Sequence, residues 1–389
     1  MRPANAPEAG NDVEMAGALK HLRRHLIAVI VAMATMTLVT THTVDAVTTS
    51  QSPPVPLLLV GVSGTPLTFV VSAKSVECAS GPCLQLQRTS DNGAHFTSLH
   101  LPPISSESGS TLGNLSQLIF ANSTDGYVSL NVANTMVWYA TADGAQSWHR
   151  VSVATDSTIL QLTPTHRELY ATVAHCVKKY TCTDYRIARS PLTANEWTIN
   201  ALPAPLAKGG FSLAAYDGNV WANLQGPRVP RLFISHDGGR SFTQSSVTPL
   251  ASVSACNLTP TSSTGLWAEC PTGMLVSFFY SVDAGVHWSS ISRYEYAGTG
   301  GGAFDPVSSS LAYLDFGPFT TRSQDLYAIT DSGHLMTAAG NLACSSTEGL
   351  VFSDATHGLA ICQKNGRTSS THLLRTSDGG KVWTVVRVS

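Results

Sequence analysis

Short runs in which apolar and polar residues alternate recur along most of the chain. They include "CLQLQRTS" (Cys83 to Ser90), "TMVWYATA" (Thr135 to Ala142), "PRLFISHD" (Pro230 to Asp237), "LVSFFYSV" (Leu275 to Val282) and "HLLRTSD" (His372 to Asp378). A period of two turns one face of each run to a core and the other to solvent, which predicts β-strands. A polar turn ends each run, and a shorter run follows, such as "SWHRVSV" (Ser147 to Val153) or "VWTVVRV" (Val382 to Val388). Upstream lies a further strand pair, seen in "LIFANSTDGYVSL" (Leu118 to Leu130) and "LVFSDATHGLAIC" (Leu350 to Cys362), where one strand ends at Phe and Gly opens the next. The unit is therefore four strands, A to D, with a hairpin between C and D. No segment after Ala46 keeps an apolar period of 3.6 over a helix length.

The C–D turns repeat. "TSDNGAHF", "TADGAQSW", "SHDGGRSF", "SVDAGVHW" and "TSDGGKVW" all read Ser/Thr-x-Asp-x-Gly-x-x-Trp/Phe, except that Ala145 replaces the glycine of the second copy. Their aspartates are Asp91, Asp143, Asp237, Asp283 and Asp378, and their aromatics Phe96, Trp148, Phe242, Trp288 and Trp383. The steps between aspartates are 52, 94, 46 and 95 residues, so two copies have degenerated. "ARSPLTANEW" (Ala188 to Trp197) and "AITDSGHLM" (Ala328 to Met336) fill the gaps. Seven units at a mean period of about 48 residues result, a spacing that suits four-stranded propeller blades. The expected fold is an all-β, seven-bladed β-propeller.

Local chemistry accounts for every fixed position of the turn. Glycine permits positive φ, the aspartate accepts backbone N–H bonds, the hydroxyl ties down the other side, and the aromatic packs beneath the hairpin. A calcium loop needs several oxygen ligands at alternate positions, and a phosphate loop needs GxxxxGK[ST] ahead of a helix. The turns offer neither, so they are read as structural, with no cofactor or metal expected.

The first 46 residues read as an address: Lys20, Arg23 and Arg24 precede fourteen apolar-leaning residues, Leu26 to Val39. That length suits a signal peptide cleaved after Ala46, with a retained N-terminal anchor as the alternative. Residues 47–65 are expected as a linker with a possible closing strand, and 66–389 as the propeller. Charged residues make up 12% of the chain and the net charge is −2, which offers no field for nucleic acid. Eight cysteines fall into close pairs, Cys78 and Cys83, Cys176 and Cys182, Cys256 and Cys270, Cys344 and Cys362. Eight allow about 105 connectivities; nearest-neighbour pairing is favoured because each pair brackets a strand turn. None has the CxxC spacing of a zinc knuckle. Export to an oxidising compartment follows.

The turn motif is that of the Asp-box, or BNR repeat, and the chain resembles the Asp-box β-propeller superfamily. Sialidases and the photosystem II assembly and stability factors are among its members. In that superfamily the boxes lie away from the active site, so the resemblance directs the search to the opposite face. Sialidases hold the substrate carboxylate with three arginines and use a Tyr–Glu pair with an acid/base Asp. "YRIA" (Tyr185 to Ala188) lacks the proline of their first arginine motif, and Arg88, Arg189, Arg231, Arg240 and Arg375 form no recognisable triad. "SRYEYAGTGGG" (Ser292 to Gly302) places Tyr294, Glu295 and Tyr296 in one loop, but neighbours on a strand point to opposite faces. The main candidates among the other acids outside the turns are Glu77, Glu168, Glu269, Asp305 and Asp315, with nothing to single out a pair. No catalytic residue is assigned. The favoured expectation is an exported, monomeric, non-catalytic binding or assembly module for a protein or glycan ligand, secreted or tethered by its N-terminal segment. The alternative is an exo-acting glycoside hydrolase of sialidase type.

Overall fold

The computed structural model describes residues 55–62, 65–78, 81–102, 115–132, 135–153, 157–178, 181–192, 194, 196–200, 202, 211–224, 231–245, 256–272, 275–291, 296–297, 303–316, 325–330, 335–364 and 370–387. These form seven antiparallel sheets, each built from consecutive strands, and contain no helix. The first blade holds β1 (Val55–Gly61), β2 (Thr68–Cys78), β3 (Gly81–Thr89) and β4 (Thr97–Leu99). The second holds β5 (Leu115–Phe120), β6 (Gly126–Val132), β7 (Thr135–Thr141) and β8 (His149–Val151). The third holds β9 (Thr158–Pro164), β10 (Glu168–Lys178), β11 (Thr181–Pro191) and β12 (Thr198–Asn200). The fourth holds β13 (Phe211–Tyr216), β14 (Asn219–Leu224), β15 (Arg231–Ser235) and β16 (Thr243–Gln244). The fifth holds β17 (Asn257–Pro260), β18 (Leu266–Thr272), β19 (Leu275–Ser281) and β20 (Ser289–Ser290), with β21 (Tyr296–Ala297) also on β19. The sixth holds β22 (Phe304–Ser308), β23 (Leu311–Phe316), β24 (Asp325–Thr330) and β25 (Leu335–Asn341). The seventh holds β26 (Ser346–Phe352), β27 (Gly358–Lys364), β28 (Ser370–Thr376) and β29 (Thr384–Val386). The protein is a seven-bladed β-propeller. Both degenerate units keep a C–D hairpin, β11–β12 and β24–β25.

Residues 55–61, read above as linker with a possible closing strand, form β1 and pair with β2. The seventh blade carries its own outer strand, β29, and no described strand crosses to close the ring. Closure comes from packing. Leu59 and Val70 of the first blade join Leu359, Ile361 and Leu373 of the seventh in one apolar cluster. Equivalent clusters fill the other interfaces. Phe69 stacks on Phe120 between the first and second blades, and Tyr313 on Phe352 between the sixth and seventh, at centroid distances of 3.5 and 3.7 Å. The B strands contribute many of the buried residues, among them Phe69, Tyr170, Trp221 and Trp267, and burial of apolar surface is the main favourable term in folding.

Each of the five aspartate turns fastens its blade twice. In every copy the Ser/Thr hydroxyl donates to Asp Oδ1 and accepts a turn N–H: Thr89 from Gly93, Thr141 from Ala145, Ser235 from Gly239, Ser281 from Gly285 and Thr376 from Gly380. The same carboxyl oxygen accepts the N–H four residues on, from His95, Ser147, Ser241, His287 and Val382. These bonds favour the ionised form; the His95 N–H holds the Asp91 carboxyl down at about 2. A turn N–H also donates to the A–B corner of its own blade, as from Gly144 to Thr124 and from Gly379 to Thr356. The other side leans on the preceding blade. Trp148 donates to His100 O at 2.8 Å, and Asn200 to Gly239 O at 3.0 Å. The five aromatics are half-buried rather than wholly covered.

Among the described residues, three disulfides pair nearest neighbours: Cys176–Cys182 between β10 and β11, and Cys256–Cys270 and Cys344–Cys362 across the A–B pairs of the fifth and seventh blades. They fit an extracytoplasmic, oxidising environment. The side chains of Cys78 and Cys83 lie outside the described residues, as does the N-terminal segment. No described helix is long and apolar enough to cross a membrane.

Candidate functional site

The A strands β1, β5, β9, β13, β17, β22 and β26 each end their sheet and pair on one side only. Their other edges surround the propeller axis. Where the A strands run into the A–B corners, they enclose a cavity of about 980 Å³ lined by the first six blades. It opens on the face that carries the aspartate turns, not on the opposite face to which the resemblance directed the search. The B–C connections and most D–A connections of the opposite face lie outside the described residues.

The lining is neutral over most of its area. Among the described residues it contains Thr, Ser and Gln side chains with Ile119, Leu258 and Val307, one carboxylate (Asp217), one imidazole (His166) and no lysine or arginine. His166 meets the edge of Tyr216 across two blades, at 6.2 Å between centroids. Gln161 of β9 turns its amide onto β13: Nε2 donates to Leu213 O at 2.9 Å, and Oε1 accepts the Leu213 N–H at 3.0 Å. The Thr163 hydroxyl donates to the same carbonyl at 3.3 Å. Thr261 Oγ1 is buried in the cavity wall without a hydrogen-bond partner. The arrangement can desolvate and hydrogen-bond an uncharged group; its lining has no pair of carboxylates for glycoside hydrolysis.

The sequence-stressed residues lie elsewhere. Tyr170, Glu168 and Arg189 do converge: the Tyr170 hydroxyl donates to Glu168 Oε2, and Arg189 donates to Glu168 Oε1. Burial, with Glu168 beside it, pushes the Tyr170 phenol up. The cluster sits in the junction of the third and fourth blades, where a Cβ on Gly238 would come within 2.8 Å of Arg189. It braces the blade whose own aspartate turn has degenerated. Arg88 lies against Gly144, Arg240 donates to Asp237 O, and Arg375 lines a groove with Asp91, so these arginines are spread over separate blades. Glu269 pairs across strands with Asn257, and burial raises its carboxyl. Asp305 lies on β22 and Asp315 is buried on β23, both outside the cavity lining. Tyr294 and Glu295, and the side chains of Glu77, Arg231 and Tyr296, lie outside the described residues; the Tyr296–Ala297 backbone runs along the outer edge of the fifth blade, on β19. Among the described residues no cluster of His, Cys, Asp or Glu could hold a metal ion.

No protein-family model and no curated protein matches the chain. Solved structures do. The β-propeller domain of the Trilobed protease from Pyrococcus furiosus aligns at a TM-score of 0.57 and 9% identity, over 87% of this chain and 99% of that one. Oligogalacturonate lyase from Vibrio parahaemolyticus aligns at 0.55 and 7%, over 84% and 91%. YCF48 bound to a D1 peptide aligns at 0.47 and 14%, over 70% and 81%. At such identities the likeness is one of fold, and propellers of this architecture carry many functions.

Proposed function

We propose that the protein is an exported, non-catalytic binding propeller that takes its ligand at the mouth of the central cavity. The carrying observation is the lining: a large concave site at the axis, rich in hydroxyl groups, with a single carboxylate and no arginine among the described residues. A sialidase-type site needs an arginine cluster and a Tyr–Glu pair facing the substrate, whereas the converging Tyr170, Glu168 and Arg189 are spent on one another. Disulfides support function outside the cytoplasm. Residues 1–46 serve as a cleaved signal or a retained anchor.

Thr259 is an exposed lining residue, so Thr259→Trp fills the mouth without disturbing the blade cores. Full-length protein is expected to retain a ligand from the source organism's extracytoplasmic extract, identified by mass spectrometry, and Thr259→Trp to lose it. Fluorogenic sialosides are expected to show no turnover. Turnover abolished by Glu168→Gln would overturn the reading.

A further inference from the structure

The chemistry of the cavity wall narrows the ligand class, on the reading that the cavity mouth is the binding site. Edge strands present N–H and C=O groups that need partners. At two places this protein supplies them itself. The Gln161 amide satisfies both groups of Leu213. The Asn223 amide and the Ser212 hydroxyl donate to Cys256 O, at the entrance to β17. The partners are thus amides and hydroxyls reaching from neighbouring strands, and the Gln161–Leu213 pair reproduces the two bonds that a peptide unit makes with an edge strand.

Backbone orientation repeats every second residue in an antiparallel strand. The edge groups of Ala215 on β13, two residues beyond Leu213, and of Leu258 on β17, two beyond Cys256, therefore point away from β14 and β18 as well. Both residues line the cavity. β13 pairs with β14 without a register shift, so this alternation holds along its length.

We propose that the cavity mouth recognises an extended polypeptide segment with uncharged side chains, added by backbone hydrogen bonds to the inner edges of β13 and β17. The Gln161–Leu213 pair shows the bonding pattern. The neutral wall selects against charged side chains, since a buried unpaired charge is costly.

The test uses full-length protein and a fluorescein-labelled hexapeptide of alternating threonine and glutamine, followed by fluorescence anisotropy. A twin N-methylated at alternate residues keeps the side chains and loses backbone donors. Counterparts with lysine or glutamate for glutamine probe charge. The unmodified peptide is expected to bind, and the twin and both charged peptides to bind at least about tenfold more weakly. Ala215→Pro removes an edge N–H at a position an edge strand tolerates, and should weaken the unmodified peptide by about tenfold. Thr259→Glu places a charge in the mouth and gives the same loss if the proline variant misfolds. Equal binding of the N-methylated twin, or no loss in either folded variant, would overturn the proposal. If no peptide binds but Thr259→Trp still abolishes retention of a natural ligand, the peptide class is wrong and the binding reading stands. If retention also survives Thr259→Trp, both fail.

Discussion

Gly218 and Gly380 have nearly the same backbone, at φ +84° and +89°, in a region that side chains rarely adopt. Their surroundings differ. A Cβ on Gly218 meets nothing within 4 Å, whereas one on Gly380 would lie 2.1 Å from Leu326 Cδ2 of the preceding blade. Gly218→Ala should therefore cost only the conformational penalty, about 1 kcal/mol. Gly380→Ala adds a steric conflict at a buried interface and should cost about 2–4 kcal/mol. Urea unfolding with unchanged m-values checks the difference; equal losses would mean that the turn does not press on its neighbour. The same comparison explains why the turn motif was readable from sequence. Hydroxyl, aspartate and positive-φ positions interact within five residues, so the pattern survives without knowledge of the fold. The lean of each turn on the previous blade is long-range, and the sequence hinted at it only through the aromatic.

Between elements, the inner strands of the sixth and seventh blades meet through one charged group. Asp305 of β22 accepts the Phe352 N–H of β26 at 2.5 Å, and burial pushes its carboxyl up to about 7 against the effect of that bond. Tyr313 and Asp315 on β23 share its face of the sheet by strand alternation; Asp354 and His357 lie in the corner after β26, and Glu348 on β26 itself. A carboxyl whose folded pKa is raised binds its proton more tightly in the native state. Its contribution is fully present below the unfolded value near 3.8 and is lost as pH rises through about 7. Asp305→Asn keeps an acceptor for Phe352 and removes the ionisation. Thermal melts should show its Tm falling less than that of the parent between pH 5 and pH 8, and parallel profiles would count against a half-buried, titrating Asp305. The strands themselves were legible from their period-two pattern, including the hairpins of both degenerate units. The role of β1 was not, because "VPLLLVG" lacks clean alternation and inner strands contact neighbours on both faces.

For the whole ring, closure and function share a cause that no local pattern encodes. Six of the seven interfaces are crossed by the chain; the one between the seventh and first blades is held by packing and by bonds such as Ser353 Oγ to Asn92 Oδ1 at 2.9 Å. The unpaired edges that line the cavity exist only once the ring has closed, which is why sequence motifs pointed to turns and missed Gln161 and Leu213. Leu359 and Leu326 test this directly. Each is buried beneath the turn glycine of the next blade, Gly93 and Gly380 respectively. Truncating either to Ala should cost about 2–5 kcal/mol. Leu326→Ala loosens an interface that the chain still crosses, so the two blades stay within reach of each other. Leu359→Ala loosens the interface that no described strand crosses. Hydrogen exchange should therefore rise in β1 and β26 together in Leu359→Ala, and much less in β22 and β26 in Leu326→Ala. Similar exchange in both variants would show that chain continuity between blades contributes little to holding the ring shut.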